Sequence, residues 1–131
     1  MNGILVDSDV LIDILRQRKL DMTLVWRQVI RSAEPIFYSP VSQAEIRQGM
    51  RESEKLSIDR LFEFLTCLPI DDGIGQLAGD YLRAFGKSHA LELGDALIAA
   101  TAMLRETALW THNRKHFPMR GVQLFREPHL Q

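Results

Sequence analysis

The stretch that most constrains the fold lies near the start of the chain, at residues 4–7. Ile4, Leu5 and Val6 are large apolar residues in succession, which indicates a short strand buried on both faces. The run stops at Asp7, a carboxylate that a hydrophobic core does not accommodate. Asp7 is therefore expected at the carboxyl end of the strand, which is the edge where an open parallel sheet binds its ligands.

The residues after Asp7 predict a helix. Apolar side chains recur there at helical spacing, namely Val10, Leu11, Ile14 and Leu15. We therefore expect a helix that begins near Asp9. An Asp at such a turn is also a favoured helix N-cap, because its side chain accepts amide hydrogens and suits the positive end of the helix dipole. Asp7 and Asp9 alone thus leave a capping role and a chemical role both open.

The rest of the chain alternates short apolar segments with helical ones. Further strands are predicted at residues 36–39, 67–70, 108–111 and 122–125. Helices are predicted at about 21–34, with Asp21 as the cap, and at 41–50, 56–65, 72–85 and 95–106. Parallel strands need helical crossovers, which cover both faces of the sheet. We therefore expect one α/β domain over residues 1–131, a three-layer α/β/α sandwich around a parallel sheet of about five strands.

Composition excludes several classes of protein. Apolar residues make up 46% and charged residues 25% of the chain, as in an ordinary folded domain, and the net charge of -1 excludes a generally basic nucleic-acid coat. Cys67 is the only cysteine, so an intrachain disulfide and a Cys-based zinc site are excluded. The start of the chain lacks the pattern of a signal peptide, and the longest apolar run, 96–104, is too short for a bilayer. We expect a soluble cytoplasmic protein without a membrane association.

Two further carboxylates fall at the same predicted edge. Glu45 lies in the first turn after the second strand, and Asp95 opens the helix 95–106. Each has a structural alternative, because Ser42-x-x-Glu45 has the form of a capping box and an acid in a first helical turn is favoured by the helix dipole. If Asp7, Glu45 and Asp95 meet, their repulsion in a partly desolvated site favours a shared hard cation, Mg²⁺ or Mn²⁺.

The fourth predicted strand ends in Thr111-His112-Asn113, which adds a hydroxyl and an amide to this edge. Asn113 can orient a water or a phosphate oxygen, or it can simply form an Asx-turn.

Four segments in this order resemble the PIN-domain ribonucleases, and most closely the VapC toxins of bacterial toxin–antitoxin pairs. The segments are 6–13 (VDSDVLID), 39–45 (SPVSQAE) with Gly49, 95–102 (DALIAATA) and Thr111-x-Asn113-x-x-His116-Phe117. The resemblance covers essentially the whole chain. It implies Mg²⁺-dependent endonucleolytic cleavage of RNA by a metal-activated water.

The resemblance also implies roles for individual residues. Asp7, Glu45 and Asp95 are then metal ligands and catalytic acids, and Asn113 is a further catalytic residue. Many PIN domains carry a fourth acid where Asn113 stands, which argues against a tightly bound second metal. Substrate binding is expected from Ser8, Thr111, Arg114 and Lys115, with Asp9 orienting Ser8 or reaching the metal through water. Further cations could hold RNA phosphates or form a solvated surface, namely Arg16, Arg18, Lys19, His116 and Arg120.

Partners are implied in the same way. A protein of this family is expected to be a homodimer and to bind an antitoxin across an apolar surface. Candidates for that surface are Trp26 on the second helix and Phe62, Phe64 and Leu65 on the fourth, with core packing as the alternative.

Two other functions fit parts of the sequence. The chain could be a catalytically idle PIN-fold module that binds a partner or RNA. Asp7-x-Asp9 and Gly94-Asp95 also resemble haloacid-dehalogenase phosphatases, but Ala99 stands where that family has another acid and the chain is too short for a cap domain.

Overall fold

The computed structural model describes residues 2–17 and 19–130, with a four-stranded parallel sheet at the centre. The strands are β1 (Ile4–Val6), β2 (Ile36–Tyr38), β3 (Thr66–Cys67) and β4 (Ala108–Trp110), in the spatial order β3-β2-β1-β4. The prediction of a fifth strand at 122–125 is wrong. In the part of the chain that the structure describes, this segment makes a single bridge, Leu109 to Leu124, because Leu109 alone exchanges backbone hydrogen bonds with it.

Helices cover both faces of the sheet. They are α1 (Ser8–Arg16), α2 (Leu20–Arg31), α3 (Pro40–Gly49), α4 (Lys55–Phe64), α5 (Asp72–Phe85) and α6 (Leu93–Leu104), with short 3₁₀ helices at Glu52–Glu54 and Arg114–His116. Helices α1 to α4 pack on one face and α5 with α6 on the other. The predicted three-layer sandwich is therefore confirmed.

Strand β1 lies between the two cores. Ile4 and Val6 belong to the core under α1 to α4, whereas Leu5 belongs to the core under α5 and α6. All three side chains are almost fully buried. This is why an unbroken apolar run, rather than an alternating one, forms the strand.

Several expected helix starts are wrong. Helix α2 begins at Leu20 rather than being capped by Asp21, and its N-cap residue, Lys19, makes no side-chain capping bond. The Ser42–Glu45 capping box does not form, because Ser39 is the N-cap of α3 and its hydroxyl accepts the Val41 N–H at 3.1 Å. Helix α6 begins at Leu93 rather than at Asp95. Arg18, one of the predicted phosphate-binding cations, lies outside the described residues.

The order of the strands places a crevice between β1 and β4. The chain passes from β1 outward to β2 and β3 and then returns to β4 on the other side of β1. Ligands bind at such a switch point, outside the carboxyl ends of the two strands. Asp7 directly follows β1 and Thr111 directly follows β4. Within residues 2–17 and 19–130, no helix combines the length and hydropathy that crossing a membrane requires.

Candidate active site

Asp7 lies at the centre of the crevice. Its backbone N–H donates to the Trp110 carbonyl at 2.8 Å, which fixes it beside the end of β4. The carboxyl is buried, with Oδ1 accepting the Ser8 N–H and Oδ2 accepting the Thr111 hydroxyl, both at 2.8 Å. Asp7 is the N-cap of α1 as well, so the capping role is real and does not exclude a chemical one.

The surroundings of Asp7 disfavour its negative charge. The pKa of Asp7 is raised to about 6, chiefly by burial and also by the charges of Asp9 and Asp95, while hydrogen bonds from Thr111 and Ser8 act in the opposite direction. At neutral pH the carboxylate is therefore ionised in a site that penalises the charge. A bound cation would relieve that penalty. The charge of Asp95 is the smallest of these influences on the pKa of Asp7.

Glu45 reaches the same edge through a chain of hydroxyl groups. The Ser8 hydroxyl donates to Glu45 Oε1 at 2.8 Å and lies 2.9 Å from Ser42 Oγ. Because a hydroxyl carries one hydrogen, Ser42 is the donor to Ser8 when Ser8 donates to Glu45. Ser42 is fully buried, so this chain holds the exposed Glu45 carboxylate from within the protein.

Glu45 also lies beside the start of α6. A Cβ placed on Gly94 would be 3.9 Å from each Glu45 carboxylate oxygen and 3.1 Å from a methyl group of Val41. Glycine at this position therefore allows α3 and α6 to approach each other closely. Asp95 is the next residue along α6, so Glu45 and Asp95 are brought to the same edge of the sheet.

Asp95 is half-buried in the first turn of α6. Its Oδ2 accepts the Glu92 N–H at 3.2 Å, so the structural role expected for an acid at this position is present. His116 Nδ1 lies 3.8 Å from the same oxygen. Sequence alone pointed to His116 only as a candidate cation. Its approach to Asp95 depends on how the Arg114–His116 3₁₀ helix is placed against α6, which no local pattern encodes.

Asp9 holds the segment after β4 against α1. Its Oδ1 accepts the Val10 N–H at 2.8 Å and its Oδ2 accepts the His112 N–H at 3.0 Å, while burial raises its pKa. The expectation that Asp9 orients Ser8 is wrong, because the Ser8 hydroxyl contacts Glu45 and Ser42 instead.

The remaining predicted residues lie along the outer margin of the crevice. Asn113 is exposed, and its backbone N–H donates to Thr111 Oγ1 at 3.0 Å. Arg114 donates from Nη1 to the Phe125 carbonyl at 3.0 Å, so part of its guanidinium has a structural role. Lys115 is exposed. Three of the other candidate cations also lie at the surface, namely Arg16, Lys19 and Arg120.

The described residues do not form a closed metal-binding cluster. In the described ranges, 2–17 and 19–130, no three His, Cys, Asp or Glu side chains are grouped closely enough to hold an ion among them. Mg²⁺ commonly takes one or two carboxylates together with waters and substrate phosphates. Asp7 and Asp95 have carboxyl oxygens of the kind that such an ion uses, but among the described residues the three predicted acids Asp7, Glu45 and Asp95 do not form a three-ligand group.

Comparisons with known proteins agree with this fold. The family model described as "PIN domain" matches residues 4–119. "Ribonuclease VapC10" of Mycobacterium tuberculosis is 42% identical over 117 residues, which cover 88% of this chain and 86% of that protein. VapBC2 from Rickettsia felis, solved bound to a DNA fragment from its promoter, superposes with a TM-score of 0.78 at 17% identity, covering 95% and 98% of the two chains. A toxin–antitoxin complex from Klebsiella pneumoniae gives a TM-score of 0.70 at 24% identity, covering 91% and 94%. These two structures show the fold alone.

Proposed function

This chain belongs to the PIN-domain family, and from that premise we propose that it is a Mg²⁺-dependent endoribonuclease, the toxin of a toxin–antitoxin pair. The observation that carries the proposal is the buried carboxyl of Asp7, whose pKa is raised to about 6 beside Asp95 at the switch point of the sheet. A structural cap does not need such an environment, because exposed Asp residues cap helices equally well. A bound cation would offset the cost of keeping this buried carboxylate ionised.

The proposed metal ligands are Asp7 and Asp95, with Glu45 as the third acid; Mn²⁺ has the same ligand preference. When bound, the ion supplies an activated water and neutralises charge on the phosphate. Thr111 and the Ser8 N–H hold the two oxygens of Asp7 in place. Ser8 fixes Glu45 Oε1 and leaves Oε2 to accept a hydrogen bond from a water.

RNA binding is assigned to the exposed margin of the crevice. Asn113 is proposed to donate to a phosphate oxygen, and Arg114 and Lys115 to attract the RNA backbone. Thr111 and Ser8 are proposed to act there through the acids that they hold rather than through direct contact, because both side chains are buried.

An apolar surface near the acidic edge fits an antitoxin. A shallow cleft between α1, α3 and α4 is lined by Ile12, Leu15 and Met50 and reaches Glu45. An apolar segment in this cleft could bring a basic side chain to the acids.

The residues predicted for an antitoxin surface differ in how exposed they are. Phe62 and Leu65 belong to the core, whereas Phe64 is 58% exposed and its ring packs edge-on against Trp26 with centroids 6.2 Å apart. We propose that Phe64 and Trp26 extend the antitoxin surface and that the protein is a homodimer in the cell.

Cleavage of RNA by the purified protein tests the proposal. We expect shortened RNA with Mg²⁺, no cleavage with EDTA, and no cleavage by Asp7→Asn, while Asp80→Asn, an exposed acid on α5, remains active. Growth arrest on expression that survives Asp7→Asn would instead favour the idle binding module. Release of inorganic phosphate from small monoesters would favour a phosphatase.

A further inference from the structure

A second cleft adjoins the acidic edge, and its outer wall is a segment near the end of the chain. This C-terminal cleft lies between the end of β4 and residues 125–129 and has a volume of ≈ 470 Å³. Pockets that hold small organic ligands measure about 300–1,000 Å³. Thr111, His112 and Arg114 line one side, and Phe125, Arg126 and His129 line the other. The volume is sufficient for one nucleotide.

The C-terminal cleft neighbours the acidic edge through two of its wall residues. Thr111 donates to Asp7, and the His112 N–H donates to Asp9. A ligand in the cleft would therefore lie one residue away from these carboxylates, which do not themselves line the cleft.

Hydrogen bonds and ring packing hold the two walls of the cleft together. Arg114 donates to the Phe125 carbonyl at 3.0 Å, and the Trp110 indole N–H donates to Glu127 Oε1 at 3.0 Å. His112 Nε2 lies 3.2 Å from the same Glu127 oxygen. The rings of Trp110 and Phe125 pack with centroids 5.1 Å apart. These contacts tie the segment to β4 and preorganise the cleft.

The charge and chemistry of the cleft suit a nucleotide. Glu127 is its one carboxylate within the described residues, and that group already accepts from an indole and contacts an imidazole. Arg126 is exposed, and Arg114 uses one of its several N–H donors on Phe125. Guanidinium groups bind phosphate in a fork geometry, and aromatic rings such as Phe125 stack with bases.

We propose that the C-terminal cleft binds the nucleotide next to the scissile phosphate of single-stranded RNA. Arg126 and Arg114 hold its phosphate, and Phe125 contacts its base. This inference rests on the proposed ribonuclease function. It adds a surface that determines which RNA nucleotide binds next to the acids. Residues 125–129 lie beyond residues 4–119, the part of the chain that the family model matches.

Salt-dependent RNA binding tests the inference. The dissociation constant of the unmodified chain for a fluorescently labelled single-stranded RNA is measured in EDTA at several salt concentrations. Arg126→Gln should weaken binding severalfold and reduce the slope of log K against log salt by about 0.7, the value for one phosphate contact on a single strand. Phe125→Leu should weaken binding without changing the slope. Arg83→Gln, an exposed arginine on α5, is the matched control and should change neither.

Cleavage assays on the same variants separate this inference from the proposed function. If the unmodified chain cleaves RNA and Arg126→Gln behaves like Arg83→Gln in binding and in KM, the cleft is not a binding site and the inference alone is overturned. If Arg126→Gln weakens binding but the unmodified chain never cleaves RNA, the cleft is supported and the proposed catalysis is overturned. If the unmodified chain binds no RNA, both are overturned.

Discussion

Replacing Asp7 with Asn should stabilise the folded protein at neutral pH. The pKa of Asp7 rises from 3.8 to about 6 on folding, chiefly because the carboxyl is buried. The folded state thus binds the proton more tightly than the unfolded state, so the free energy of unfolding falls as pH rises from about 4 to about 6. At about 1.36 kcal/mol per pKa unit, the ionised carboxylate costs ~3 kcal/mol at pH 7.

Asn removes that cost but loses part of the hydrogen bonding. The Asn side chain has one oxygen that accepts and one NH₂ group that donates. Both carboxylate oxygens of Asp7 accept, one from Ser8 and the other from Thr111. A mismatched bond of this kind costs ~1 kcal/mol, which leaves a net gain of ~2 kcal/mol at pH 7. For a chain of this size the melting temperature should rise by about 6 °C. At about pH 3.5 and below, the carboxyl is mostly protonated in both states, so the gain should nearly vanish and Asn should be slightly destabilising.

Thermal unfolding in EDTA, measured from about pH 3.5 to about pH 7.5, checks this prediction, because this range includes the pKa of Asp7 in both the unfolded and the folded state. The comparison is between the unmodified chain, Asp7→Asn and, as a control at an exposed acid, Asp80→Asn. A melting temperature for Asp7→Asn that is lower than that of the unmodified chain at pH 7, or a difference that stays constant with pH, would refute the reasoning.

Three further substitutions probe the contacts around the acids. Ser8→Ala should reduce Mg²⁺ affinity by about 10- to 100-fold, measured by calorimetry, because the Glu45 carboxylate loses its support; unchanged affinity would place Glu45 outside the site. Thr111→Val should raise the pKa of Asp7 above about 6, measured by carbon-13 NMR titration, because a hydrogen bond to the carboxylate is lost. Gly94→Ala should lower cleavage activity with a loss of ~1 kcal/mol in stability, because the added methyl group forces α3 and α6 apart; full activity would contradict the close approach at Glu45.

The sequence predicted those parts of the fold whose causes are local. The run Ile4 to Val6 is buried on both faces, so a strand there and a turn at Asp7 follow from composition alone. The same holds for helix α5, which spans the predicted residues 72–85. The segment 122–125 looked like a strand for the same reasons but forms only one bridge, Leu109 to Leu124. How this segment lies against β4 is set by the loop between them, which no local apolar pattern encodes.

The candidate acids could be named from the sequence, but the contacts that hold them could not. Asp7, Glu45 and Asp95 were chosen from their positions at strand ends and helix starts, and their role as metal ligands stays a prediction. The Ser42–Ser8–Glu45 chain does not, because it joins helices α1 and α3 across 34 to 37 residues. The capping box failed for a related reason: Pro40 favours the first position of a helix, so Ser39 becomes the cap and Ser42 turns inward to Ser8.

The central claim is that Asp7 and Asp95 hold one divalent cation. Mn²⁺ binding followed by electron paramagnetic resonance tests it most directly, since the free ion and the bound ion give different signals. We expect one bound Mn²⁺ per chain, displaced by Mg²⁺, lost in Asp7→Asn and in Asp95→Asn, and retained in Asp80→Asn. Equal Mn²⁺ binding by the unmodified chain and by Asp7→Asn would contradict the account.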